Sequence, residues 1–355
     1  MAYGVLRATV GRDLFLKELK ILFTKVEQAG SSYNPPVSDT MGLGGQKVPT
    51  QSRVLKIVRN VFVMLAALVA LFLFVVIPWF FTSIITHRQY HYPDANDGKS
   101  PKSYNLDFRW IAFTSPDGIP LKGWYIPAEG TARGTIIYCH GLNRTRIEML
   151  PHAVFGHSLG YNSLLFDFRH QGASGGDITT LGYQERLDVL GALRYALEQE
   201  HAARPVVAWG VSMGAASSLM AAESPDISAV ISDSSFDSLL GTARHHFKLF
   251  FHLPGFPIAD EVAYWTASRG NFSPTDFDLV KATERIGNRP ILFVAVSGDR
   301  RMPPSIAQEL YAHAQSPLKK IIVLPGHRHG EGFNQATDPY EKAVTDFLAS
   351  LPAGK

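Results

Sequence analysis

The feature that most limits what this chain can fold into is a run of 21 residues without a charge, from Val61 to Phe81. Most of these residues are Val, Leu, Ala and Phe, and Pro78 lies near the far end. A helix of about 20 residues spans a hydrocarbon core of about 30 Å and satisfies its own backbone hydrogen bonds there. A core helix of this length would ordinarily keep a polar face. The run therefore predicts a transmembrane helix over residues 61–85.

The charges beside this run predict its orientation. Lys47, Arg53, Lys56 and Arg59 precede it, and Arg88, Lys99 and Lys102 follow it. The positive bias on the first side predicts a cytoplasmic N-terminus, with residues 1–60 as a cytoplasmic segment and linker. Residues 1–30 resemble a basic amphipathic helix, and Gly30–Thr50 resembles a flexible linker. The remaining chain would be non-cytoplasmic, and periplasmic in a bacterium.

After the span, apolar strand-like segments alternate with helix-length segments. The predicted strands are Phe108–Phe113, Leu121–Ile126, Thr135–Cys139, Ser163–Phe166, Pro205–Trp209, Ala229–Ser232, Ile291–Val296 and Lys320–Val323. Such alternation predicts an α/β domain over residues 104–355, with a mostly parallel sheet covered by helices on both faces. Residues 1–60 carry nine Lys and Arg against four Asp and Glu, which leaves the rest near neutral and offers nucleic acid no basic face.

The pentapeptide Gly210-Val211-Ser212-Met213-Gly214 lies between a predicted strand and a predicted helix. In this context G-x-S-x-G predicts a nucleophile elbow, a sharp turn that holds the serine hydroxyl clear of the backbone. Glycines on either side remove side chains where the strand and the helix crowd together. Ser212 is therefore the candidate nucleophile.

Other polar groups follow the ends of neighbouring strands, where ligands bind in parallel sheets. His140-Gly141-Leu142 follows one strand, Ser297-Gly298-Asp299 another, and a segment with His327 and His329 the last. Serine needs an imidazole to take its proton and a carboxylate to orient that imidazole. The developing oxyanion needs fixed donors, and we assign these to the backbone N–H groups of Leu142 and Met213.

Together, His140-Gly141, the stretch Asp167–Gly175, the serine pentapeptide, Ser297-Gly298-Asp299 and the late Gly-x-x-His resemble the α/β-hydrolase superfamily. Within it, residues 105–351 are most similar to the serine aminopeptidase-like branch. The resemblance implies the α/β-hydrolase fold, with Ser212 as nucleophile, Asp299 as acid and His329 as base. His327 stays open as an alternative base.

Several other residues have competing interpretations. Asp233 is an alternative acid, and a zinc site of His140, His327 and His329 is a further alternative, although its spacing matches no known ligand pattern. His140 itself is interpreted as structural. Asp167 and Arg169 are expected to form a buried pair with each other. A small helical cap is predicted near residues 236–287, where aromatic side chains are frequent.

These features predict a single-pass membrane serine hydrolase that cleaves an ester or thioester through an acyl-enzyme. The substrate would be a small molecule or a lipid ester, and neither a metal nor an organic cofactor is expected. A serine peptidase, aminopeptidase-like, is one alternative. A non-catalytic scaffold with the hydrolase fold is another.

Overall fold

The first region of the computed structural model, which describes residues 51–252 and 254–352, is a helical run that ends at His87. It comprises α1 (Gln51–Leu71), a π-helical turn (Phe72–Val76) and α2 (Ile77–His87). Pro78 crowds the carbonyl four residues earlier, so the helical ladder widens into the π turn just before it. The run from Arg53 to His87 is long and apolar enough to cross a membrane. The predicted helix is therefore present, and it begins at Gln51.

The amphipathic helix expected within residues 1–30 and the linker expected up to Thr50 lie outside the described residues. The chain divides into two units after Val69, and α2 belongs to the larger unit, which starts at Ala70. All contacts discussed below are within that larger unit.

The larger unit is built on an eight-stranded sheet. Its strands are β1 (Arg109–Thr114), β2 (Pro120–Ile126), β3 (Thr135–Cys139), β4 (Asn162–Phe166), β5 (Val206–Val211), β6 (Ala229–Asp233), β7 (Ile291–Val296) and β8 (Lys320–Leu324). Their order is β1-β2-β4-β3-β5-β6-β7-β8. Strand β2 pairs antiparallel with β1 and β4, and every other pairing is parallel. The predicted mostly parallel sheet is confirmed, and β1 and β2 form a hairpin at its edge.

Helices cover both faces of this sheet. They are α3 (Leu150–Ser158), α4 (Glu185–Glu198), α5 (Met213–Ala221), α6 (Leu239–Phe251), α7 (Ile258–Arg269), α8 (Leu279–Ile286), α9 (Pro304–His313), α10 (Gly332–Gln335) and α11 (Thr337–Ala349). Apolar residues of α4, α5, α8 and α9 join the core on one face, and those of α3 and α11 join the core on the other. Strands β3, β5 and β7 are buried at every position, as strands covered on both faces must be.

Between β6 and β7, α6 and α7 form a helical hairpin, and its residues Leu239, Ala263 and Ala267 join the core on one face of the sheet. We call this hairpin the cap. One face of α2 packs against α7 and buries Pro78, Thr82 and Thr86, which are four residues apart and therefore share a face. Helix α8, the last helix in the range predicted for a cap, packs instead into the core beneath the sheet.

Candidate active site

Ser212 lies at the turn between β5 and α5. Its backbone has φ 55° and ψ −115°, a conformation that L residues other than glycine rarely adopt. A Cβ on Gly210 would lie 2.2 Å from the backbone of Gly214, and a Cβ on Gly214 would lie 2.0 Å from the carbonyl oxygen of Cys139. Only glycine fits these two positions, so the pentapeptide is required by the close crossing of strand and helix.

Three side chains from the ends of separate strands form one hydrogen-bonded line. The Ser212 hydroxyl donates to Nε2 of His329 over 2.8 Å. The Nδ1–H of His329 donates to Oδ2 of Asp299 over 2.7 Å. This arrangement lets the imidazole receive the serine proton while the carboxylate stabilises the resulting cation.

Asp299 is held in the ionised form that this role requires. Its side chain is buried, and burial alone would raise its pKa. The hydrogen bond and charge of His329, with N–H donors from Met302 and Arg301 over 2.9 Å each, outweigh that cost and leave the pKa of Asp299 lowered. A carboxylate with a lowered pKa stays charged at neutral pH and keeps His329 in one orientation.

The other two histidines singled out in the sequence lie elsewhere. His327 is exposed, and its backbone N–H donates to Oε1 of Gln335 over 2.8 Å. His140 is fully buried, donates from Nδ1 to the carbonyl of Gly141 and accepts the N–H of Phe168 at Nε2. Burial lowers the pKa of His140 to about 4. Both ring nitrogens of His140 are therefore engaged by backbone.

The two predicted oxyanion donors flank the serine. Met213 is the first residue of α5, so its N–H has no partner within the helix. Leu142 follows Gly141, and a Cβ built on Gly141 would lie 3.7 Å from the Cβ of Ser212. Among the described residues, neither the Leu142 nor the Met213 N–H has a hydrogen-bond acceptor. Both donors are available to a negative charge that develops beside Ser212.

Glu148 is a residue that the sequence analysis missed. Its Oε2 accepts the N–H of Gly141 over 2.6 Å, and its Oε1 lies 3.2 Å from Nε of Arg144. Burial raises the pKa of Glu148 to about 7, against the opposing effects of these two contacts. The only sequence signal was its place one short helical turn after the loop that contains Leu142.

Asp233, the alternative acid, does not contact His329. Its Oδ2 accepts the hydroxyl of Tyr340 over 2.9 Å, and its Oδ1 accepts the hydroxyl of Ser234 over 2.8 Å. Burial raises its pKa to about 6. The structure therefore places Asp299, and not Asp233, against the histidine.

The expected pair between Asp167 and Arg169 is wrong. Asp167 pairs with Arg146 and also accepts the N–H of Ala173. Arg169 pairs with Asp188 and Asp117, both at 2.7 Å. Both residues are buried as expected, but their ion-pair partners come from other segments of the chain.

The end of α2 approaches the same site. The carbonyl of Thr86 accepts the N–H of Thr179 over 2.9 Å, and the hydroxyl of Thr179 lies 3.6 Å from the sulfur of Met213. On the other side, His245 of the cap contacts the carbonyl of Arg300, next to Asp299, over 2.8 Å. Helix α2 is therefore connected to the site through Thr179 and Met213, and the cap is connected to it through Arg300.

A cavity of about 330 Å³ lies beside the helix end, and the segments 89–91, 144–147 and 170–172 line it. Its lining does not include Ser212, Asp299 or His329 among the described residues. It adjoins the site through Gln171, whose amide is 3.8 Å from the sulfur of Met213.

Comparison with known families gives one match that covers more than half of the chain. Residues 84–274 match the family described as X-Pro dipeptidyl-peptidase (S15 family). The matched region starts within α2 and includes Ser212 and the whole cap, but ends before Asp299 and His329.

Individual relatives are more distant. The chain is 25% identical to the Bacillus subtilis protein YqkD over 245 residues, 68% of this chain and 79% of YqkD. It is 23% identical to the Saccharomyces cerevisiae membrane protein YNL320W over 282 residues, 75% of this chain and 92% of the yeast protein. Among solved structures, the Pyrococcus furiosus esterase Pf2001 superposes with a TM-score of 0.62 at 23% identity, covering 76% of this chain and 100% of the esterase. The predicted α/β-hydrolase fold is confirmed.

Proposed function

Because the chain belongs to the S15 family of α/β hydrolases, we propose that it is a membrane-anchored serine hydrolase that cleaves an ester or thioester through an acyl-enzyme. The observation that carries this proposal is the continuous hydrogen-bonded line from Ser212 through His329 to Asp299. Each contact has the length and the atoms that general-base activation of a serine needs.

In the proposed reaction, Oγ of Ser212 attacks the carbonyl carbon while Nε2 of His329 takes its proton. The carbonyl oxygen becomes negative and accepts hydrogen bonds from the N–H groups of Leu142 and Met213. His329 then gives its proton to the leaving oxygen or sulfur, and the acyl group stays on Ser212. Water, activated by the same imidazole, releases the acid and restores the serine.

The second candidate function is a serine peptidase, which the matching family's description supports directly. Both reactions use the same three side chains, so the choice depends on what binds beside them. The cap contributes apolar aromatic side chains and α2 contributes an apolar helix, which favour an apolar, lipidic acyl group over a peptide. We therefore place the ester or thioester first.

The membrane part of the proposal rests on the helical run that ends at His87 and on the similarity to the yeast membrane protein. The side chains of α1 that the structure describes are almost all exposed, although most are Val, Leu, Phe and Met. Apolar side chains in such a row are stable in lipid and costly in water. The proposed orientation keeps the N-terminus in the cytoplasm and the hydrolase domain on the other side.

A fluorophosphonate, which labels activated serines covalently, tests the proposal on the full-length chain in detergent. Wild type and His327→Ala should label, whereas Ser212→Ala and His329→Ala should not. His327→Ala is the matched control, because His327 is two residues from His329 but exposed. A folded wild type that does not label would contradict the hydrolase and favour the non-catalytic scaffold.

A substrate panel then separates ester from peptide. We expect turnover of p-nitrophenyl esters, with a preference for longer acyl chains. We expect little release of the amine from X-Pro dipeptide amides or single aminoacyl amides. Efficient amide cleavage that Ser212→Ala abolishes, together with negligible ester turnover, would replace the esterase with the peptidase.

A further inference from the structure

The tip of the cap has large aromatic side chains that the described residues cover only in part. Phe250 and Phe251 end α6 and are 54% and 44% exposed, and Phe256, just before α7, is 72% exposed. We call these three residues the cap tip. Within the same hairpin, Phe247 is only 8% exposed, so the hairpin does bury aromatic side chains where the protein can cover them. The cap tip needs another explanation.

The contacts between α2 and the cap fix which end of the helix the tip lies beside. The hydroxyl of Thr82 donates to the carbonyl of Val262, and Arg269 donates to Thr86 and Ser83. As the chain advances along α2 it therefore advances along α7, so the two helices run parallel. The start of α7, and the cap tip that precedes it, lie beside the start of α2.

A direct aromatic contact shows which part of α2 lies beside the cap tip. The ring of Phe81 meets the ring of Phe251 edge-on at 5.1 Å between centroids. Phe81 is the last residue of the uncharged run, and Ile258 begins one helical turn before Val262. The cap tip is thus level with the final turns of the proposed membrane helix, where Trp79 and Phe80 are each 54% exposed.

From this placement we infer that the cap tip inserts into the surface of the lipid bilayer around the helix. The inference rests on the proposed membrane anchor and extends it from a tether to a docking surface. Aromatic side chains favour the boundary between headgroups and hydrocarbon. Lys248, exposed one turn before the tip, is placed to meet lipid headgroups.

This docking brings the active site close to the lipid. Thr86 lies five residues beyond Phe81, or about 7.5 Å along the helix. Its carbonyl binds Thr179, which contacts Met213 beside the serine. The active site therefore lies near the bilayer surface, and the substrate class that this placement fits is an ester with an acyl chain drawn from the membrane.

The test uses full-length protein in phosphatidylcholine and phosphatidylglycerol vesicles, with the buried Cys139 replaced by Ala. A single cysteine is introduced by Phe256→Cys or Phe250→Cys and labelled with an environment-sensitive dye. Gln308→Cys, on an exposed position of α9, is the matched control. We expect lipid-borne nitroxide to quench both tip labels strongly and the control label hardly at all, while aqueous iodide does the reverse.

The outcomes separate the docking surface from the anchor. Carbonate extraction of the same vesicles reports on the anchor alone. If the chain resists extraction but iodide quenches the tip labels as strongly as the control, the tip is in water and the inference is wrong. Protection from iodide without quenching by lipid would assign the tip to a second copy or another protein and would also overturn it. Release of the chain by carbonate would overturn both the anchor and the docking surface.

Discussion

The active-site edge of the sheet and the cap tip each follow an apolar segment, yet their side chains differ in kind and in burial. At the sheet edge, Asp299 is 2% exposed and the hydrogen-bond partners of its carboxylate are all within 3 Å. At the cap tip, Phe256 is 72% exposed and contributes little to the fold. The edge holds a few polar atoms in one geometry, whereas the tip presents apolar area in no particular geometry. The comparison teaches that the chemistry depends on the positions of a few atoms, whereas the proposed membrane contact depends on apolar composition.

The largest effect is expected at the sheet edge, from Asp299→Asn. In the variant the amide oxygen would accept from the N–H groups of Arg301 and Met302, which leaves the amide NH2 facing Nδ1 of His329 and favours the wrong tautomer. Loss of this role in serine hydrolysis lowers kcat by about ten-thousandfold. Steady-state turnover of a soluble short-chain ester, on protein with an unchanged thermal midpoint, checks the prediction.

The matched control for that variant is Asp233→Asn. Asp233 is also buried, but it accepts from Tyr340 and Ser234, and the amide oxygen of asparagine can still accept one of these hydrogen bonds. Turnover should stay close to wild type. Equal losses of turnover in the two variants would mean that removing either buried negative charge has the same effect. The particular position of Asp299 against His329 would then not explain its effect, and the comparison would fail.

The second effect concerns the backbone that holds the serine. Gly214→Ala places a methyl group 2.0 Å from the carbonyl oxygen of Cys139, so β3 and α5 must separate. We expect a loss of about 3 kcal/mol or more in the free energy of unfolding. Gly332→Ala is the control, because its new methyl group would meet its nearest neighbour at 3.3 Å. The thermal midpoints of both variants in detergent test whether Gly214→Ala is the more destabilising change, and equal midpoints would contradict this prediction.

The fold was predictable because its signals are local. Buried parallel strands appear as short apolar runs, and the bounds of β3 and β7 match the prediction. Ser212, His329 and Asp299 each follow the end of a predicted strand. They come into contact because the ends of parallel strands meet at one edge of the sheet. Distinguishing His329 from His327 required the structure, because the two histidines lie two residues apart in a loop whose backbone course the sequence pattern does not specify.

Contacts between distant segments were not predictable from one sequence. The pairing of Asp167 with Arg146, of Glu148 with the Gly141 N–H, and of Arg269 with α2 each depends on how loops are brought together. No periodicity or motif encodes such partners. The span was predicted as a tether, and nothing in its apolar pattern indicates that Thr82 and Thr86 are buried against the cap.

A third, smaller effect is the pH dependence that Glu148 introduces. Its pKa is raised from 4.5 to about 7 in the folded protein, so the folded state holds a proton that the unfolded state has already released. The contribution of Glu148 to stability therefore falls as the pH rises from about 4.5 to about 7, by roughly 3 kcal/mol. Glu148→Gln keeps an acceptor for Gly141 and removes this dependence.

Thermal midpoints at pH 5 and pH 8 in the same detergent test that prediction. Wild type should lose stability relative to Glu148→Gln between the two values. Glu198→Gln, an exposed position on α4, is the matched control and should follow wild type. Parallel behaviour of Glu148→Gln and wild type would show that the proton is not held at Glu148.

The smallest effect is expected at the cap tip. Phe256→Ala removes a side chain that is mostly exposed, so the free energy of unfolding should change by no more than about 0.5 kcal/mol. The thermal midpoint of the variant in detergent measures this change. Phe247→Ala, in the same hairpin, removes a buried ring that packs against Phe81 and Phe251, and should cost about 3 kcal/mol. If Phe256→Ala is as destabilising as Phe247→Ala, the tip is part of the folded core and needs no lipid to explain it. If the midpoint does not move, the protein gains nothing measurable in its own stability from an exposed phenylalanine, and the apolar area at the tip is free to bind the bilayer.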